Sequence, residues 1–106
     1  EILILGITFK ENYPDVRNTK AVDVITALKQ YGVNVTIYDP WANEKEVLHE
    51  YNLVSVKELP KDKFDTIVLT VAHNEFKNID LSMFKKENAI IYDVKGILDE
   101  KADAKL

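Results

Sequence analysis

Along the chain, short continuous apolar runs alternate with stretches in which apolar residues recur at helical spacing. Ile2-Leu3-Ile4-Leu5, closed by Gly6, predicts a buried strand. Ala21, Val22, Val24, Ile25 and Leu28 repeat on one face, which predicts an amphipathic helix over residues 19–31 with Gly32 as its C-cap. Residues 33–38 predict a second strand, stopped by Asp39-Pro40, and residues 44–51 a second helix. Residues 53–56 suit a short edge strand, and residues 66–71 a further buried one. A short helix is expected after Asn74, and residues 89–92 form the last expected strand, with Lys95-Gly96 just beyond. Residues 8–18 are polar and contain Pro14, so no helix runs through them.

Strands alternating with helices imply βαβ units and a mostly parallel sheet covered on both faces. The fold class expected is therefore α/β, a Rossmann-like three-layer α/β/α sandwich, with residues 1–106 forming one domain. The only methionine is Met83, and the chain opens directly into its first apolar run, so a domain cut from a longer chain is expected.

Composition narrows the chemistry. Cysteine is absent, which leaves no disulfide framework, thiolate metal site or cysteine nucleophile in these residues. The formal net charge of −4 argues against nucleic acid as the main partner. No apolar run approaches the roughly 20 residues of a membrane span. His49 and His73 are far apart in sequence, and no metal-ligand spacing is present. Neither a P-loop nor a nucleophile elbow occurs.

In an open α/β sheet, ligands bind beyond the carboxyl ends of the strands. The segment after the first predicted strand is long and has one glycine where a dinucleotide turn would have three. It carries three cations, Lys10, Arg17 and Lys20, and Asn18 or Thr19 can cap the helix that follows. Lysine meets a phosphate as a point charge and arginine grips one bidentately. The same cations also fit a solvated loop with surface ion pairs such as Asp15 with Arg17. Asp39 ends the second strand, where an acid can hold a ribose hydroxyl; without the glycine-rich turn, a turn role ahead of Pro40 is favoured. His73 follows a buried strand and is read as structural in preference to an acid–base group. Lys95 is expected on the same rim as Lys10, or else as a surface lysine before a glycine turn.

The run Gly-x-Thr-Phe-Lys-Glu-Asn-x-Pro-Asp-x-Arg-Asn-Thr-Lys over residues 6–20 resembles the opening of the C-terminal domain of the UDP-glucose/GDP-mannose dehydrogenase family. Tyr38-Asp39-Pro40, then Ala72-His73-x-Glu75-Phe76, then Asp93-x-Lys95-Gly96 extend the resemblance in order along nearly the whole chain. The resemblance implies an NAD-dependent enzyme that oxidises the C6 alcohol of a UDP-sugar to a carboxylate in two hydride transfers. Its catalytic cysteine, passing through a thiohemiacetal and a thioester, lies outside this chain, which therefore holds no catalytic residue and is expected to be inert alone. NAD is bound mainly by an N-terminal domain, which with a helical middle region is missing here. By the same resemblance, Phe9, Lys10 and Lys95 bind substrate, and Arg17 reaches the NAD pyrophosphate. Lys95, where glucose-specific members commonly carry arginine, together with Glu11-Asn12 and Asn18-Thr19-Lys20, resembles the branch acting on UDP-N-acetylhexosamines for capsule or O-antigen synthesis. A cytoplasmic location and a homodimeric full-length enzyme are implied as well. The alternative is a stand-alone nucleotide-binding or regulatory module with no oxidoreductase role.

Overall fold

The computed structural model describes residues 1–17 and 19–94 and the backbone of residues 104–105. The elements are β1 (Ile2–Leu5), α1 (Ala21–Gln30), β2 (Val35–Tyr38), α2 (Glu44–Tyr51), β3 (Ser55–Val56), β4 (Phe64–Leu69), β5 (Lys85–Asp93) and β6 (Ala104–Lys105). Two 3-10 helices, Asn74–Asn78 and Leu81–Phe84, join β4 to β5. Among the described residues, six strands form one sheet in the order β3-β2-β1-β4-β5-β6. Every pairing is parallel. The expected Rossmann-like parallel sheet is present.

Alternation along β1 explains why its apolar run is unbroken. Leu3 and Leu5 face a core shared with Phe64, Ile67, Leu69 and Phe76. Ile4 faces the other side, with Ile25 of α1 and Val47 of α2. A strand covered on both faces must be apolar at every position. Both α-helices lie on one face, and the 3-10 segments, through Phe76 and Leu81, cover the other. Right-handed crossovers produce this division. The chain steps outwards from β1 through β2 to β3, then resumes at β4 on the opposite side of β1, so the next crossover falls on the opposite face.

The element boundaries shift in instructive ways. Helix α1 starts at Ala21 because Thr19 is held in the preceding loop: its Oγ1 donates to the Thr8 carbonyl (3.2 Å) and accepts from the Ala21 N–H (3.2 Å). At its other end Gly32, at φ +77°, sends its N–H back to the Lys29 carbonyl (3.0 Å), as a residue just past a helix end does. Strand β5 begins four residues before the expected one, at Lys85, because a bulge with Asn88 at φ +65° carries it past a break in register with β4. Strand β6 follows the strand that was expected to be last.

Candidate functional site

The reversal of strand order places β1 beside β4 with their crossovers on opposite faces, which opens a crevice at their carboxyl ends. Gly6 lets β1 turn away there. It adopts φ +101°, and a Cβ on it would lie 2.6 Å from the Val71 Cβ. Thr70 seals the seam by donating its hydroxyl to the Gly6 carbonyl, and its N–H meets the Leu5 carbonyl (3.0 Å). The cleft above this seam measures about 280 Å³. Phe9, Lys10, Lys20, Thr19, Thr70 and Val71 are among its walls.

The loop between β1 and α1 is folded back on itself. The Phe9 N–H donates to the Asp15 carbonyl (2.6 Å), Val16 inserts into the core, and the Tyr51 hydroxyl donates to the Val16 carbonyl. Phe9 is thereby left 57% exposed despite its size, at the mouth of the cleft. An exposed aromatic beside cations is a surface on which a base or sugar can stack. Lys10 is exposed too, with Nζ 5.0 Å from the centre of the Tyr13 ring.

Beneath the loop lies a buried polar hub. Asp39, fully buried, ends β2 and accepts five N–H donors. Its Oδ2 takes those of Ile7 (2.7 Å), Thr8 (3.2 Å) and the His73 ring (3.0 Å). Its Oδ1 takes those of Trp41 (2.7 Å) and Ala42 (3.1 Å). Burial alone would raise the Asp39 pKa, but the His73 hydrogen bond and the N–H groups of Ile7 and Trp41 outweigh it and hold the carboxyl below its usual range. The same burial removes Asp39 from any ribose hydroxyl. The N–H groups of Ile7 and Thr8, which a dinucleotide turn would offer to a pyrophosphate, are used here to bind Asp39. This strand end is therefore not an NAD turn.

His73 is also fully buried, between Trp41 (ring centres 6.1 Å apart) and Phe76 (5.3 Å). Its Nδ1 accepts the Asn12 N–H (2.8 Å). Asn12 sits at φ +56°, a conformation asparagine tolerates, and its Oδ1 accepts the Asn74 N–H (2.9 Å). Sequence reasoning missed Asn12 and the partnership of Asp39 with His73. Contacts across 34 and 61 residues leave no local periodicity to detect.

Arg17 lies elsewhere. It makes a two-pronged contact with Asp15, Nε to Oδ1 at 3.1 Å and Nη2 to Oδ2 at 3.0 Å. That hydrogen-bonded pair lowers the Asp15 pKa and raises that of Arg17. Arg17 borders an open groove of about 700 Å³ that also contains Asp15, Glu46 and Glu50. That groove sets three carboxylates against Arg17, whereas the smaller cleft sets Lys10 and Lys20 against Glu11 alone, so the cleft is the better site for a diphosphate. Lys20 borders that cleft and also a second groove shared with Arg17, which makes it the bridge between the two regions. Asn18 and Lys95 lie outside the described residues. Among the described residues no group of acidic and histidine side chains is arranged to hold a metal ion, and no helix is long and apolar enough to cross a membrane.

Comparison with known proteins places this geometry. Residues 3–100 match the model of the UDP-glucose/GDP-mannose dehydrogenase family, UDP binding domain. The chain is 41% identical over 109 aligned positions to UDP-N-acetyl-D-glucosamine 6-dehydrogenase of Pseudomonas aeruginosa, covering 99% of this chain and 26% of that protein. It is 39% identical over 100 positions to Protein CapL of Staphylococcus aureus, covering 91% of this chain and 23% of that one. The native structure of the UDP-N-acetyl-mannosamine dehydrogenase Cap5O from Staphylococcus aureus superposes with a TM-score of 0.74 at 21% identity, over 99% of this chain and 25% of that chain, and so shares the fold. The chain thus spans about a quarter of the length of these relatives. With the family model matched over nearly its full length, the chain belongs to the UDP-glucose/GDP-mannose dehydrogenase family, within its UDP binding domain.

Proposed function

We propose that this chain is the UDP-binding, C-terminal part of a longer NAD-dependent nucleotide-sugar 6-dehydrogenase, and that it holds the nucleotide of a UDP-N-acetylhexosamine in the cleft between the ends of β1 and β4. The observation that carries this reading is the coincidence of three things: the switch point of the sheet, the Phe9-Lys10 pair and the matched family domain. In it, Lys10 neutralises the diphosphate, Lys20 adds a second positive charge to the same cleft, and Phe9 stacks on the ligand. Lys95 contributes from beyond β5. The choice of an N-acetylhexosamine rests on the substrate for which the Pseudomonas relative is named.

NAD, in this reading, is bound mainly by the remainder of the enzyme, where it accepts the hydrides, and Arg17 is this chain's contribution towards it. The chain's own turn after β1 offers no pyrophosphate cradle, because Asp39 occupies its amides. To reach a dinucleotide, the Arg17 guanidinium must exchange Asp15 for a phosphate, and its 78% side-chain exposure leaves it room to do so. The nucleophilic cysteine lies outside this cysteine-free chain, which binds and orients substrate without transforming it.

Titration of UDP into the isotope-labelled chain, followed by amide NMR shifts, tests the reading. Saturable shifts at Phe9, Lys10 and Lys20 are expected. Lys10→Ala should weaken binding by about tenfold or more, the usual worth of a charge-assisted hydrogen bond. Absence of shifts up to several millimolar UDP would remove the cleft as a nucleotide site.

A further inference from the structure

His73 touches neither the cleft nor solvent, yet both ends of the segment that carries Phe9 and Lys10 are tied to it. At one end, Nε2 lies 3.1 Å from Thr8 Oγ1, whose proton goes to the Lys10 carbonyl (3.0 Å), but Thr8 is also held independently, its N–H by Asp39 (3.2 Å) and its carbonyl by the Thr19 hydroxyl (3.2 Å). At the other, Nδ1 accepts the Asn12 N–H (2.8 Å). A nitrogen that accepts an N–H carries no proton, so the ring's single proton sits on Nε2 and is donated to Asp39 Oδ2 (3.0 Å). Asn12 is clipped a second time, by accepting the Asn74 N–H from the start of the 3-10 helix after β4.

We infer that His73 is a positioning residue for nucleotide binding: its Nδ1 anchors Asn12 and so holds the exposed Phe9-Lys10 segment in its ligand-ready shape, while its Nε2 serves the fold through Asp39. The inference rests on the assignment of UDP to the cleft between β1 and β4. The two ring nitrogens divide the labour. Asp39 has four backbone N–H partners besides the imidazole, and all of them stay when only the Nδ1 contact is lost. The Asn12 anchor, by contrast, restrains a surface loop whose Phe9 and Lys10 side chains project outwards. A loop held in place before the ligand arrives loses less freedom on binding, which raises affinity without adding any contact.

Two side chains separate the roles. Glutamine at position 73 places its amide nitrogen near the site of Nε2, which keeps a donor for Asp39 and removes the acceptor for Asn12. Asparagine places its amide oxygen near the site of Nδ1, which keeps the acceptor and removes the donor. The measurements are the UDP dissociation constant by NMR titration and the urea midpoint, for the wild-type chain, His73→Gln and His73→Asn. His73→Gln should stay the closer of the two to wild type in urea midpoint, with UDP binding about tenfold weaker. His73→Asn should unfold at lower urea yet, while folded, bind UDP within about threefold of wild type.

Undiminished UDP affinity in folded His73→Gln would overturn the inference while leaving the UDP site intact. Affinity losses that simply track stability in both His73 variants would do the same. A wild-type chain that shows no UDP shifts at all would overturn the UDP assignment, and this inference with it. The ring nitrogen shifts of His73 in wild type give an independent readout: a neutral ring protonated at Nε2 is expected, and a proton on Nδ1 would contradict the anchoring hydrogen bond.

Discussion

Replacement of Asp39 by asparagine changes one atom and should cost nearly as much stability as a larger truncation. Both carboxylate oxygens act as acceptors, Oδ2 from Ile7, Thr8 and His73 and Oδ1 from Trp41 and Ala42. An amide has one acceptor oxygen. Whichever way it is turned, its NH2 group faces at least two buried N–H donors. A buried donor left unsatisfied costs about 1–3 kcal/mol, so the substitution should destabilise the fold by about 2–4 kcal/mol. With a urea slope of about 1.5 kcal/mol per molar for a domain this small, the midpoint should fall by roughly 1.3–2.7 M. The slope itself should be unchanged, because the same surface is exposed on unfolding. The pH dependence follows from the same contacts. The Asp39 pKa is lowered below its usual 3.8, so its contribution is fully present above that value and is lost as pH falls through the lower folded-state value. Wild type should therefore lose stability steeply in acid, and Asp39→Asn should show a flatter profile below pH of about 4. Urea unfolding of both proteins from neutral pH down to about pH 3 measures the two effects together. A midpoint shift below about 0.5 M at neutral pH would refute the reasoning, because it would mean that neither oxygen's donors depend on the carboxylate.

Two further outcomes check the frame around the cleft. Gly6→Ala should destabilise the chain by about 2–6 kcal/mol, the sum of a strained positive φ and overpacking against Val71. Thermal unfolding reads this directly, and a melting temperature within a few degrees of wild type would show that the turn relaxes freely. Arg17→Ala should leave the unfolding midpoint and UDP affinity of this chain unchanged, because the Arg17–Asp15 pair is solvent-exposed and lies off the Lys10 cleft. A clear fall in UDP affinity would move the anion site towards the acidic groove.

Much of the architecture was legible in the amino-acid order because the signals that determine it are local. The unbroken run at residues 2–5 could only be a strand buried on both faces, and that is how β1 sits. The helical spacing from Ala21 to Leu28 gave α1 its buried face, and Asp39-Pro40 stopped β2. The motif around Phe9 and Lys10 pointed to the strand end that the structure opens into a cleft. Sequence left Arg17 either on a phosphate or paired with Asp15; the folded loop makes the Asp15 pair and leaves Lys20 to share the cleft with Lys10.

The local turn at Asp39, whose Oδ1 accepts from Trp41 and Ala42, was expected from its place before Pro40; its partnership with His73 was decided by tertiary structure alone. Asp39 and His73 are each unremarkable in their local sequence, one before a proline and one before a helix start. Hydrogen bonds act over about 3 Å in space, whatever the separation along the chain. The sheet order brings β1, β2 and β4 side by side, so the loops beyond their ends meet at one point, and Asp39 Oδ2 there finds its three donors in residues 31 to 34 positions away. Propensity and periodicity record which face of an element is buried. Which buried polar groups satisfy one another is settled only when the strands are laid next to each other.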